Sequence, residues 1–192
     1  MSHLLLLHSA LGLRPAVRQA AERLRERGHT VHTPDYYDGH VFDDEGEGIA
    51  YRDEIGAKSL FARLGPVLDA VPADAALAGF SLGSAFAQNL AGQRSAARAV
   101  ILLHSVGAPR GPWPGQPVQV HRYADDHWID PADVEALGAA VRASGASFED
   151  HVVPGRGHLF TDSETADGDA GATDAAINMI DVLLSQEPIN NP

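Results

Sequence analysis

Apolar and polar positions alternate along the chain in two rhythms. Leu4 to Leu7 is a short continuous apolar run, as a strand buried on both sides requires. From Ala16 to Arg27 the period lengthens. Val17, Ala20, Ala21 and Leu24 form one apolar stripe, while Arg18, Glu22, Arg25 and Glu26 face water. Pro15 sits near the first turn of this predicted helix and Gly28 stops it. His29 to Thr33 reads as a second strand, ended by Pro34. Residues 35–57 are irregular and acidic, with at most a short helix near Ile49 to Ile55. Lys58 to Val71 reads as a helix closed by Pro72, and Ala75 to Ala78 as a small-residue strand. A helix over Leu82 to Ala91 and a strand over Ala97 to Leu103 follow. The glycines and prolines of residues 105–116 make that stretch a loop. Strands over Val118 to Tyr123 and Ser147 to Val153 flank a helix from Pro131 to about Ala143, and a last helix covers Thr173 to Leu184.

Strands alternating with helices predict an α/β fold: about six strands in a mostly parallel sheet, with helices on both faces. In such sheets ligands bind beyond the carboxyl ends of the strands. The residues just after each strand are therefore the informative ones.

Composition narrows the class. The 192 residues are 44% hydrophobic and 21% charged, ordinary for a globular chain, and no repeat is present. One domain over residues 1–185 is expected, with 186–192 as a flexible C-terminal tail. No cysteine is present, which excludes disulfides, thiolate metal ligation and a cysteine nucleophile. The formal charge of −12 disfavours nucleic acid and anionic membranes as partners. Neither a membrane-spanning run nor a signal peptide is legible, so the cytoplasm is the expected compartment.

The chemistry concentrates in Gly79-Phe80-Ser81-Leu82-Gly83, between a predicted strand and a predicted helix. That is the context of a nucleophile elbow, in which a tight turn exposes the serine and small neighbours let strand and helix approach. The helix N-terminus after Ser81 also points amides at a developing oxyanion. The Leu82 N–H and, from the loop after the first strand, the Ala10 N–H are the candidate oxyanion donors. In this arrangement the partners follow in the order serine, acid, histidine. Of the ten histidines, His158 is the one that follows the last strand, in a glycine-rich loop. The acid should follow the strand ending near Tyr123, where Asp125, Asp126 and Asp130 compete; Asp130 could instead cap the helix opened by Pro131.

With these residues in place, the chain resembles the dienelactone hydrolase family of α/β-hydrolases. The resemblance rests on the loop ending in Gly12, the Thr33-Pro34-Asp35-Tyr36-Tyr37 segment, Gly79 to Gly83, Asp126-His127-Trp128 and Gly157-His158-Leu159-Phe160. It implies an α/β-hydrolase fold and selects Asp126 as the triad acid. Three departures stand out. Family members with dienelactone activity carry a cysteine where this chain has Ser81. Their first-strand glutamate is replaced by Ser9, and Asp162 occupies the place of their substrate-binding arginine. Arg156 and Arg52 are possible substitutes for that arginine. His8 and Trp128, which follow strands, and Ser9 and Tyr36, in the matched loops, are expected to line the substrate. His104 should share the rim.

Other constellations are weaker. His29 and His32 lie three apart on a strand and point to opposite faces, so no metal site is expected. No nucleotide-binding loop appears and no cofactor is expected. The acidic stretch from Asp43 to Glu54 reads as a solvated loop, with a lid over residues 40–56 as the alternative. The expected function is a serine hydrolase of a small ester, lactone or related acyl substrate, monomeric or homodimeric. The alternative is a catalytically degenerate binding protein, for which Ser84, standing where many relatives have a second glycine, is an argument.

Overall fold

A computed structural model describes residues 1–186. The expected tail falls outside the described residues apart from Gln186. In chain order the elements are β1 (His3–Leu7), α1 (Pro15–Glu26), β2 (Thr30–His32), α2 (Glu45–Ile55), α3 (Ala57–Ala62), α4 (Gly65–Ala70), β3 (Ala76–Phe80), α5 (Leu82–Ala91), β4 (Val100–Leu103), β5 (Val118–Asp125), α6 (Pro131–Ala143), β6 (Phe148–Arg156) and α7 (Ala170–Ser185).

The six strands form one sheet in the order β2-β1-β3-β4-β5-β6, with every pairing parallel. Side-chain alternation divides the core into two layers. Leu4 and Leu6 of β1, Ala76, Ala78 and Phe80 of β3, and Ile101 and Leu103 of β4 pack with α1 and α7. Leu5, Leu7, Leu77, Val100 and Leu102 face the other way, against α5, α6 and the α3–α4 segment. The chain steps outward from β1 to β2, then crosses back to β3 on the other side of β1. The loops after β1 and β3 therefore diverge, and the crevice between them is where this topology places a ligand.

Two expectations need correction, both before β3. Residues 58–71 are not one helix but α3 and α4, broken at Arg63 and Leu64. Pro66 supplies no N–H to continue the first helix and occupies the opening turn of the second. Residues 45–55 are helical rather than a solvated loop. The Asp44 carboxylate caps α2 by accepting the Glu47 N–H at 3.0 Å. The apolar face of this helix is short, with Tyr51 and Ile55 partly buried on the core and Gly48 buried, which is why only residues near Ile49 to Ile55 read as helical from sequence. A Cβ at Gly48 would stand 2.3 Å from the Ala10 carbonyl oxygen, so α2 lies directly on the loop after β1. No described helix is long and apolar enough to cross a membrane.

Candidate active site

The turn between β3 and α5 is tight because both ends are glycine. A Cβ at Gly79 would stand 2.0 Å from the Gly83 carbonyl carbon, and one at Gly83 would stand 2.3 Å from the Leu7 carbonyl oxygen. No larger residue fits either position without moving backbone. Between them Ser81 has φ 50° and ψ −108°, a conformation rare for a side-chain-bearing residue. Its N–H donates to the Leu103 carbonyl at 2.8 Å, tying the turn to β4. Ser84, the departure that suggested degeneration, is fully buried. Its hydroxyl accepts the Leu103 N–H at 2.9 Å and lies within reach of the Leu103 and Gly79 carbonyls. The hydroxyl braces the turn.

Ser81, His158 and Asp126 converge from three strand ends. His158 Nε2 lies 2.9 Å from Ser81 Oγ, and Nδ1 lies 2.8 and 3.0 Å from the two Asp126 carboxylate oxygens. An ionised carboxylate only accepts, so Nδ1 carries the proton and Nε2 accepts from the serine hydroxyl. The Asp126 side chain is fully buried and that of His158 is 3% exposed. Asp126 also accepts the Trp128 N–H at 2.9 Å, and the His158 N–H donates to the Asp167 carboxylate at 2.8 Å. Both partners of this hydrogen bond are thus fixed by their own loops. Asp125 instead faces solvent near Arg156, and Asp130 caps α6 by accepting the Ala132 N–H at 2.9 Å.

Not every expected contact residue lines open space. Trp128 is 47% exposed, its ring centroid 6.1 Å from that of His158. His8 and Tyr36, expected to line the substrate, and His104, expected at the rim, are all buried and do not face open space. The His8 ring stacks on Tyr36 at 3.6 Å and its Nδ1 donates to the Ser9 carbonyl at 2.8 Å. The Tyr36 hydroxyl donates to the His8 carbonyl. Burial drives the Tyr36 phenol well above its ordinary pKa. These rings support the loop after β1 from beneath. His104 lies behind His158 at 5.9 Å between centroids, and its Nε2 bonds the Thr161 hydroxyl at 2.8 Å. Burial, and secondarily the neighbouring His158, hold His104 well below its ordinary pKa, so it is neutral. Ser9 is 5% exposed, and its hydroxyl accepts the Leu11 N–H at 3.1 Å.

Two features escaped the sequence reading. Arg14, 3% exposed, bonds Asp162 at 2.7 Å, Asp43 at 2.8 Å, the Phe42 carbonyl at 2.7 Å and Glu164 at 3.2 Å. It clasps the segment before α2 to the loop after β6. Asp162, in the place of the family's arginine, is the buried partner of this clasp. Arg156 and Arg52, the possible substitutes, pair with Asp125 and Asp53. Glu45, the first residue of α2, places a carboxylate oxygen 3.9 Å from His158 Nε2. Only the position of Arg14 just after the Gly12 turn could have hinted at either.

A groove of about 450 Å³ begins one helical turn beyond Ser81. Ala85, Gln88, Asn89 and Gly92 of α5 form one wall and residues 105–114 the other. The helical spacing puts these α5 residues on the same stripe as Ser81, although Ser81, Asp126 and His158 do not line the groove. As to metals, no cluster of three or more histidine, aspartate or glutamate side chains suited to an ion occurs among the described residues. His29 pairs with Asp181, and His32 with His3.

Comparison with known proteins bears on the fold and the family. A search of curated proteins found no match. Among solved structures, a dienelactone hydrolase-like promiscuous phosphotriesterase from metagenomic libraries superposes with a TM-score of 0.82 at 21% identity, over 96% of this chain and 86% of that one. Esterase 2 of Thermogutta terrifontis, phosphonylated by sarin, gives 0.71 at 16% identity, over 97% and 86%. A cold-adapted esterase from an Arctic intertidal metagenomic library gives 0.63 at 17%, over 96% and 84%. These likenesses establish the fold. The sequence profile of the dienelactone hydrolase family spans residues 2–186, nearly the whole length, and on that match the chain belongs to the dienelactone hydrolase family.

Proposed function

We propose that this protein is a serine hydrolase cleaving small esters, lactones or related acyl compounds through an acyl-enzyme. The observation that carries the reading is the unbroken hydrogen-bond chain from Asp126 through His158 to Ser81, with links of 2.8 and 2.9 Å. Ser81 Oγ attacks the acyl carbon and forms the C–O bond as its proton passes to His158 Nε2. Asp126 fixes the tautomer and stabilises the imidazolium. Leu82 opens α5, so its N–H has no partner four residues back in the helix. With the Ala10 N–H it is assigned to the oxyanion. The imidazolium returns the proton to the leaving oxygen as that C–O bond breaks. Water then repeats the sequence on the acyl-enzyme. A hydroxyl is a poor nucleophile at neutral pH without such a base, which is why serine at this position needs His158 in direct contact.

The family profile and the esterases of this fold support the same reaction class. One of those esterases is phosphonylated by sarin, which suggests the test. A fluorophosphonate probe should label the wild type once per chain at Ser81. Ser81→Ala should lose labelling and drop p-nitrophenyl ester turnover by on the order of 10⁴. An unlabelled wild type, or an alanine variant with wild-type turnover, would refute the proposal in favour of a binding protein.

A further inference from the structure

We infer that Glu45 sets the charge preference of this site, disfavouring anionic acyl substrates relative to neutral and cationic ones. The inference rests on the hydrolase reading above and narrows its substrate class.

Glu45 Oε1 stands 3.9 Å from His158 Nε2, the nitrogen that bonds Ser81 Oγ. That separation is too long for a hydrogen bond, so the carboxylate does not contest the serine. It is short enough for its charge to be felt by anything bonded to Ser81. The His158 side chain is 3% exposed whereas that of Glu45 is 39% exposed, so the carboxylate sits on the outer side of the pair, where substrate must approach.

Three contacts hold it there. Asp44 caps the helix that Glu45 begins. Gly48 packs against the Ala10 carbonyl, one turn further on. Arg14 grips Phe42 and Asp43 just upstream.

Among the described residues of α2 and the loops after β1 and β6, each nearby arginine already faces a carboxylate. Arg14 is committed to three carboxylates, and Arg52 and Arg156 each pair with an aspartate. Asp162, in the loop that carries His158, is itself a carboxylate and is already bonded to Arg14. An anionic substituent directed toward α2 therefore meets Glu45, whereas a cationic one gains an ion pair.

The test compares p-nitrophenyl esters of butyrate, glutarate and 4-trimethylammoniobutyrate, which share a leaving group and differ in charge. In the wild type, kcat/KM should rank cationic, neutral, anionic. Glu45→Gln should compress the cationic-to-anionic ratio roughly fivefold, mainly through KM. Glu47→Gln, one exposed carboxylate further along the same turn, should preserve the wild-type ratio. Salt should compress the ratio in the wild type and not in Glu45→Gln.

An unchanged ratio in Glu45→Gln, an equal compression in Glu47→Gln, or equal slowing of all three esters overturns the inference while leaving hydrolysis intact. A wild type that turns over none of the three esters and is not labelled by fluorophosphonate overturns the hydrolase reading and this inference together.

Discussion

Arg14 and Asp162, 148 residues apart in sequence, meet through Nε and Oδ2 at 2.7 Å with both side chains more than nine-tenths buried. This pair ties the loop after β1 to the loop that carries His158. Burial opposes the guanidinium charge, but Asp43, Asp162 and Glu164 together hold its pKa above the ordinary value. Replacing Arg14 by leucine leaves Asp162 charged and buried without its partner. A stability loss of about 3–5 kcal/mol is expected in urea unfolding. The double variant Arg14→Leu/Asp162→Leu should recover part of it, because neither charge is then stranded.

The elbow makes a steric prediction. Gly83→Ala sets a Cβ against the carbonyl oxygens of Leu7 and His8, at 2.3 and 2.6 Å. Backbone must move, and a loss of about 3 kcal/mol or more is expected, with activity falling as Ser81 shifts. Gly28→Ala is the control. It has φ 92° but nothing within 4 Å of a Cβ, so only backbone strain of about 1–2 kcal/mol is expected, with activity intact. Chemical unfolding and ester turnover measured together separate the two cases.

Asp126→Asn should reduce kcat by on the order of 10³–10⁴ with little change in KM or melting temperature. The amide oxygen can still accept the Trp128 N–H, so the loop is retained. It can no longer stabilise the imidazolium. A variant with near-wild-type kcat would remove Asp126 from the mechanism.

Buried histidines set the acid side of stability. Burial, helped by His151, pushes His121 down to about 3, and His104 also lies well below its ordinary value. Both bind a proton more readily when unfolded, near the ordinary pKa of about 6.5. Their contribution is complete above that pH and is lost as pH falls toward their folded values. Between about pH 6 and 4, stability should therefore fall with a slope of up to about 1.4 kcal/mol per pH unit for each group. Asp35 acts in a lower window. The neighbouring His8 ring, 3.6 Å away, and the Tyr37 and Gly39 N–H donors outweigh the opposing effect of burial and hold it at about 2, so its contribution is lost only as pH drops from about 4 toward 2. His121→Gln should flatten the upper slope by about one proton's worth; an unchanged slope would show that His121 is not its source.

Most elements near the core were legible because burial enforces periodicity. The four leucines of β1 and the stripe of α1 could take no other form. Of helix α2 only the second half, near Ile49 to Ile55, was legible, where Tyr51 and Ile55 pack on the core; its first turn is held by a cap, by Gly48 on the Ala10 carbonyl and by the Arg14 clasp. His8, Tyr36 and His104 were expected at the rim because they follow strands. A strand end places a residue near the site, but whether its ring points into the crevice or under the loop depends on packing from distant segments, such as the stacking of Tyr36 on His8.

The order of elements, the glycines flanking Ser81, and the candidate positions of a histidine after β6 and an acid after β5 were determined by the sequence alone, because each is local: a steric requirement of one turn or the periodicity of one segment. Asp126 rather than Asp125 or Asp130 was favoured by family resemblance, and it is the folded chain that brings its carboxylate to His158 Nδ1. The Arg14 clasp and the approach of Glu45 to His158 belong wholly to tertiary structure. Charge acts through space, and parallel crossovers bring residues separated by more than a hundred positions within a few ångströms without leaving a pattern along the chain.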